Sequence, residues 1–127
     1  MTAINQYIYH HFVINNKEIS EMLEKVAIVE MHHLEMLAEL IIKLGDNPIY
    51  YSQNNYWDGY YVNYGYNIFD QLNSDLDSEL KAIQIYQRQI EIIKDPYIQE
   101  ILQRIVLDEQ VHVVLFTEAI KSLNQCT

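Results

Sequence analysis

Residues 26–40 read VAIVEMHHLEMLAEL, and residues 105–119 read IVLDEQVHVVLFTEA. Stepping through the first by fours and threes gives Val26, Glu30, His33, Leu37 and Leu40, and the same steps through the second give Ile105, Glu109, His112, Phe116 and Ala119. The seam continues outward through Ile19, Leu23 and Leu44 in one stretch and Ile98, Leu102 and Leu123 in the other. This period is that of a helix with one apolar face. In both stretches a Glu and a His take successive seam positions that packing alone would fill with apolar side chains.

The two stretches are copies of one another. Laying Met1 to Leu44 over Leu80 to Leu123, a shift of 79, needs no gap and makes at least eleven of the 44 pairs identical, where roughly three to five would match by chance. Tyr7/Tyr86, Leu23/Leu102, Glu30/Glu109, His33/His112 and Leu44/Leu123 are among them. A helical hairpin written twice is the simplest account.

Boundary signals agree. Asn16 is placed to cap a helix that Gly45 ends, Asp95 with Pro96 is a cap followed by proline at the first helical position, and Asn67 with Asp70 fits another start. Helices are therefore predicted over Thr2 to Ile14, Lys17 to Leu44, Ile68 to Lys94 and Pro96 to Leu123. The third carries its own seam, Phe69, Leu72, Leu76, Glu79, Ile83, Tyr86, Ile90 and Ile93.

Between the hairpins, residues 45–67 read GDNPIYYSQNNYWDGYYVNYGYN, with seven of the eleven tyrosines and the only tryptophan. The second predicted helix is about 42 Å long, and the segment fully extended could span about 75 Å, so it can run back along the whole bundle. The expected fold is all-α, a four-helix bundle of two hairpins (1–44 and 68–123) joined by a long crossover (45–67), in one domain of 127 residues. The crossover aromatics are expected to pack over the side of the bundle.

Eight basic against eighteen acidic residues give a net charge of -10, which repels nucleic acid and anionic membrane surfaces. The opening MTAINQYIYHHFVIN has neither a basic leader nor an unbroken apolar run, so a cytoplasmic location is expected. Cys126, the single cysteine, can supply neither an internal disulfide nor a Cys-rich metal site.

Glu30, Glu79, Glu109, His33 and His112 on buried seams would each cost several kcal/mol unpaired, so they require cations or one another. Residues at i and i+3 share a helix face, and each Glu-x-x-His can present an oxygen and a nitrogen to one place. Carboxylate with imidazole suits iron, manganese or zinc. A dinuclear site, a single-metal site and a metal-free carboxylate–histidine network all satisfy the pattern.

Tyr7 and Tyr86 share the seam seven residues beyond the ligand level, where a phenol can donate to a ligand carboxylate or simply fill the core; they are the candidate catalytic residues. His11 falls about 16 Å along the axis from that level and is not expected to be a ligand. His10 and His32 lie off the seam and are expected at the surface, as are Glu21, Glu39, Glu100 and Glu118, each nine residues from a ligand Glu. Phe69, Leu72 and Leu76 precede any counterpart in the first helix, so exposed apolar surface and a homodimer are expected.

With these motifs in place, the chain resembles the ferritin-like superfamily of non-haem dimetal carboxylate proteins, and within it the rubrerythrin type. In that family the first and third helices each supply a Glu followed by a Tyr seven residues on, and the second and fourth each supply Glu-x-x-His. Glu79 and Tyr86 match the third helix, Glu30 and His33 the second, and Glu109 and His112 the fourth. The shift of 79 carries Glu79 onto the position before Met1, so the first-helix Glu and the first half of that helix are expected to be missing.

The resemblance implies two iron ions, or alternatively manganese, acting on hydrogen peroxide or dioxygen. Rubrerythrin-type proteins commonly carry a Cys-rich domain that delivers electrons; this sequence has none, so an external electron donor is implied. Manganese-catalase-like dismutation of peroxide and ferritin-like iron storage without turnover are the competing expectations.

Overall fold

The computed structural model describes residues 1–52 and 54–125; Cys126 lies outside them. Four helices, α1 (Thr2–Val13), α2 (Lys17–Lys43), α3 (Ile68–Ile92) and α4 (Pro96–Gln125), form a bundle in which α1 packs on α2 and α3 on α4, with α1 beside α3 and α2 beside α4.

The helix ends sit where the capping residues put them. Asn16 Oδ1 accepts from the Ile19 N–H at 3.1 Å, Asn67 Oδ1 from Phe69 and Asp70 at 2.9 and 3.2 Å, and Asp95 Oδ1 from Tyr97 and Ile98 at 2.9 and 3.1 Å. Gly45 has φ +89°, the left-handed conformation that ends a helix at little cost only for glycine. Leu44, expected in the core, lies beyond the bundle's end and is 66 % exposed.

One apolar cluster fills the end where α2 and α3 begin, with Ile14, Ile19, Leu23, Val26, Leu72 and Phe116 around the buried ring of Tyr7. Leu40, Leu102 and Ile105 are buried toward the other end. The seam residues Glu30, His33, Glu79, Glu109 and His112 lie between these layers. Leu72 is fully buried and Leu76 packs on the same cluster, so these two seam residues are covered within the chain, while Phe69 is half-buried.

The crossover is mostly irregular, with β1 (Tyr51–Ser52) pairing antiparallel to β2 (Asn55–Tyr56) and a 3-10 turn at Gly59–Tyr61. Its tyrosines do not blanket the bundle as expected, since Tyr60 is 87 % and Tyr66 97 % exposed. Polar contacts hold the segment down instead. Trp57 Nε1–H donates to Thr2 Oγ1 at 2.9 Å, and Asn63 is gripped by two side chains of α1: its N–H donates to Gln6 Oε1 at 2.8 Å, and its carbonyl lies 2.9 Å from His10 Nε2.

That grip corrects the expectation for His10, which is fully buried rather than at the surface. The crossover covers the flank of α1 that seam periodicity leaves open. Among the described residues no helix is long and apolar enough to cross a membrane.

Candidate metal centre

Each of the four helices brings something to one buried place between the apolar layers. Glu30 and His33 come from α2, Glu79 from α3, Glu109 and His112 from α4, and Tyr7 from α1. Glu30, Glu79, Glu109 and His112 each offer one ligand atom, and those four atoms lie within 4.8 Å of one another. Glu79, Glu109, His33 and His112 are buried, and Glu30 nearly so.

His112 Nδ1 is 2.9 Å from Glu109 Oε2, 3.3 Å from Glu30 Oε1 and 3.6 Å from Glu79 Oε2. Across the site His33 Nδ1 is 3.2 Å from Glu109 Oε1 and 3.7 Å from Glu30 Oε2, with the two imidazole centroids 6.2 Å apart. Both rings thus turn the same nitrogen toward the carboxylates, as the repeat requires. The contacts of His33 Nδ1 and Glu30 Oε1 are close enough to be ion pairs but lack hydrogen-bond geometry, so each is a buried polar atom without a hydrogen-bond partner among the described residues.

Burial alone would lower both imidazoles. For His112 the carboxylates of Glu109, Glu30 and Glu79 more than offset it and hold the ring up to about 11. For His33 the carboxylates of Glu109, Glu30 and Asp108 do the same, to about 10. Burial pushes Glu79 up to about 8, reinforced by Glu109 and the charge of Glu30. Burial also acts on Glu109, but hydrogen bonding to His112 and His33 wins and holds it well below the usual carboxylate range. The cluster retains protons in the space that its charges prepare for cations.

Tyr7 O–H donates to Glu79 Oε1 at 2.6 Å, and its ring lies against Phe116 at 5.4 Å between centroids. Burial, then the Glu79 charge, pushes its phenol well up, so it is held as a donor. Among the described residues Tyr86 makes no such bond. Burial first, and then the charges of Glu109, Glu30 and Glu79, raise its phenol too. The repeat that pairs Tyr7 with Glu79 would pair Tyr86 with the position ahead of Met1.

His11 stays clear of the site, with Nδ1 2.8 Å from the Ser20 carbonyl oxygen. His32, Glu21, Glu39, Glu100 and Glu118 are exposed, as expected. Periodicity missed Asp108, because it lies one residue off the α4 seam. It nonetheless reaches across the bundle, with Oδ2 3.1 Å from His33 Nε2. Asp75 was missed as well, although its place one turn before Glu79 on α3 was a usable signal.

A helical bundle with carboxylates and imidazoles converging at mid-height defines the class of ferritin-like proteins. A family model described as a ferritin-like domain matches residues 1–126, and the chain belongs to that family. It is 28 % identical over 120 residues to a bacterioferritin of Desulfovibrio desulfuricans, covering 90 % of this chain and 64 % of the relative. It is also 28 % identical over 119 residues to a bacterioferritin of Streptomyces coelicolor, covering 89 % and 68 %.

Among solved structures it is similar to KatB, a manganese catalase from Anabaena, with TM-score 0.89, 27 % identity, and coverage of 99 % of this chain and 66 % of that one. The Desulfovibrio desulfuricans bacterioferritin, described with its diiron site in different catalytic states, matches with TM-score 0.85 and 25 % identity over 98 % of this chain and 72 % of that one. This chain therefore spans just under two thirds of the length of the first of these relatives and of KatB.

Proposed function

We propose that the chain binds two transition-metal ions, iron or manganese, and serves as an oxidoreductase on hydrogen peroxide or dioxygen. The observation that carries the metal reading is the convergence of four ligand atoms within 4.8 Å, two of the surrounding buried polar atoms having no hydrogen-bond partner. Unpaired, these groups cost too much to bury, and a cation satisfies all of them at once. Mixed oxygen and nitrogen donors suit iron or manganese, the metals in the names of the manganese catalase and in the description of the diiron bacterioferritin.

Glu30, Glu79, Glu109 and His112 would hold one side of the pair, with His33 closing the other side through Nδ1. Bound ions of this kind change oxidation state and so supply two-electron chemistry on peroxide or dioxygen. The chain's own part is to exclude water from the ligand layer, through Leu23, Val26, Phe116 and Ile105, and to keep a proton on Tyr7 Oη facing Glu79 Oε1. A rubrerythrin-like reaction draws electrons from an external donor, whereas dismutation of peroxide needs none.

The bacterioferritin relatives favour a second reading, iron uptake without useful turnover. Anaerobic loading with iron or manganese, metal analysis, and peroxide consumption with and without a reductant separate the readings. Close to two ions per chain with peroxide consumption supports the proposal. Two ions without consumption leaves the binding protein, and no ion uptake overturns both.

A further inference from the structure

The crossover leaves an open aromatic cavity on the side of the bundle. Five of its rings, Tyr50, Tyr51, Tyr56, Trp57 and Tyr61, wall a space of about 540 Å³ whose floor is Leu34 of α2. That volume lies in the range of small-molecule sites. The walls are held in place. Tyr51 and Tyr56 are paired across β1 and β2 and meet edge to face at 5.0 Å, the Trp57 N–H donates to the Tyr50 carbonyl at 2.8 Å, and the indole is pinned through Thr2. Tyr50, Tyr56 and Tyr61 nonetheless remain more than half exposed. Rings fixed in position and left open to water are suited to stacking a planar aromatic molecule.

Charge narrows the class of that molecule. Among the described residues no charged side chain lines the cavity, and the chain carries a net charge of -10. A phosphate-bearing ring, such as a flavin or nicotinamide nucleotide, finds no cation there and meets a repelling field. The tyrosine hydroxyls and the Asn55 amide can both donate to and accept from hydroxyl groups. An uncharged ring that carries hydroxyls meets both conditions.

Position supplies the role. Leu34 directly follows His33 and lies one turn along α2 from Glu30, about 6 Å. Glu30 is the least buried of the five candidate ligands, its side chain 12 % exposed against 4 % or less for the others.

Resting on the oxidoreductase reading above, we propose that this cavity binds the external electron donor, and that the donor is an uncharged hydroquinone stacked on the crossover rings beside α2. The hydroquinone gives up two electrons and its two O–H protons and leaves as the quinone. Hydrogen peroxide takes two electrons and two protons, its O–O bond breaks, and two waters form.

Trp57 is the only tryptophan, so its fluorescence reports the cavity alone. Anaerobic titration of the ion-stripped full chain with 1,4-naphthohydroquinone should quench it saturably, and flavin mononucleotide should bind at least about tenfold more weakly. Tyr51→Ala combined with Tyr56→Ala should weaken naphthohydroquinone binding about tenfold through the loss of two ring contacts. Quenching without saturation, equal binding of the flavin nucleotide, or an unchanged titration in the folded double variant would overturn the proposal. Circular dichroism checks the fold, and Tyr61→Ala, outside the strand pair, decides in its place if the double variant does not fold.

The role is tested on the iron- or manganese-loaded chain with hydrogen peroxide. Naphthohydroquinone should be oxidised about tenfold more slowly by the double variant than by the wild-type chain. Ascorbate, an anion for which the cavity holds no cation, should serve both proteins equally. Peroxide consumption with ascorbate but not with naphthohydroquinone would overturn the donor site and leave the oxidoreductase reading intact. Consumption with neither, by a chain that still binds naphthohydroquinone saturably, would overturn both.

Discussion

Tyr7 and the ligand imidazoles set what single residues are expected to do. Tyr7→Phe keeps the ring against Phe116 but leaves Glu79 without its 2.6 Å donor, so it should fold and lose about 1 to 3 kcal/mol, measured by urea unfolding. Protons bound by the ligands give the stripped protein a definite pH dependence. His33, His112 and Glu79 all have raised values in the fold. Each therefore contributes stability that is complete below its unfolded value, 6.5 for the imidazoles and 4.5 for Glu79, and that is lost as pH rises through the folded value. The Glu79 part is gone by about 8 and the imidazole parts by about 10 and about 11. Glu109, held low, has the opposite sign, its contribution being present above 4.5 and lost as pH falls below that. Thermal unfolding of the stripped chain should accordingly show a melting temperature that falls steadily from about pH 6 to about pH 10; a flat profile would mean the cluster does not hold these protons. Ion affinity should move the other way and increase with pH, because each ion displaces protons from the same nitrogens.

Among the elements, the crossover and α3 are tied to α1 through one carboxylate. Asp75 accepts from Gln6 Nε2 at 2.8 Å on Oδ1 and lies 2.8 Å from His10 Nδ1 on Oδ2, and both of those side chains grip Asn63 of the crossover. His10 faces a carbonyl with one nitrogen and a carboxylate with the other. A proton must therefore sit on Nε2 and another between Nδ1 and Asp75. Burial pushes Asp75 up, against the pull of His10 and Gln6. Asp75→Ala would leave a fully buried imidazole and amide without their partner, which should cost about 3 to 5 kcal/mol. Hydrogen exchange should show the Asn63 amide losing protection in that variant before the amides of α4 do. Asp75 lies one turn before Glu79, so the same variant should also lengthen the Tyr7 to Glu79 contact, visible as a downfield-to-upfield shift of the phenolic proton. If Asn63 and α4 lose protection together, the clamp is not a separate unit.

For the whole molecule, the proposed ions would bind the folded cluster and not the unfolded chain. At a free ion concentration a hundredfold above the dissociation constant they should add about 2.7 kcal/mol of stability, seen as a rise in melting temperature that a chelator reverses. The helices, their caps and the polar seam positions Glu30, His33, Glu79, Glu109 and His112 were legible in the sequence, because helical period, capping chemistry and an internal repeat are all local or self-referential signals. Polar side chains on an apolar seam stand out without any knowledge of neighbours. What only the tertiary structure decided is which groups meet across elements. His10 looked exposed because its partners, Asp75 and Asn63, lie 65 and 53 residues away in the chain. Asp108 did not stand out because its partner, His33, is 75 residues away on another helix. Leu72 looked uncovered because the cluster that buries it is built from α1, α2 and α4. Periodicity along one helix assigns a face and a height. Which residue of another element stands opposite is set by how the helices pack and where the crossover lies, and no single helix carries that information.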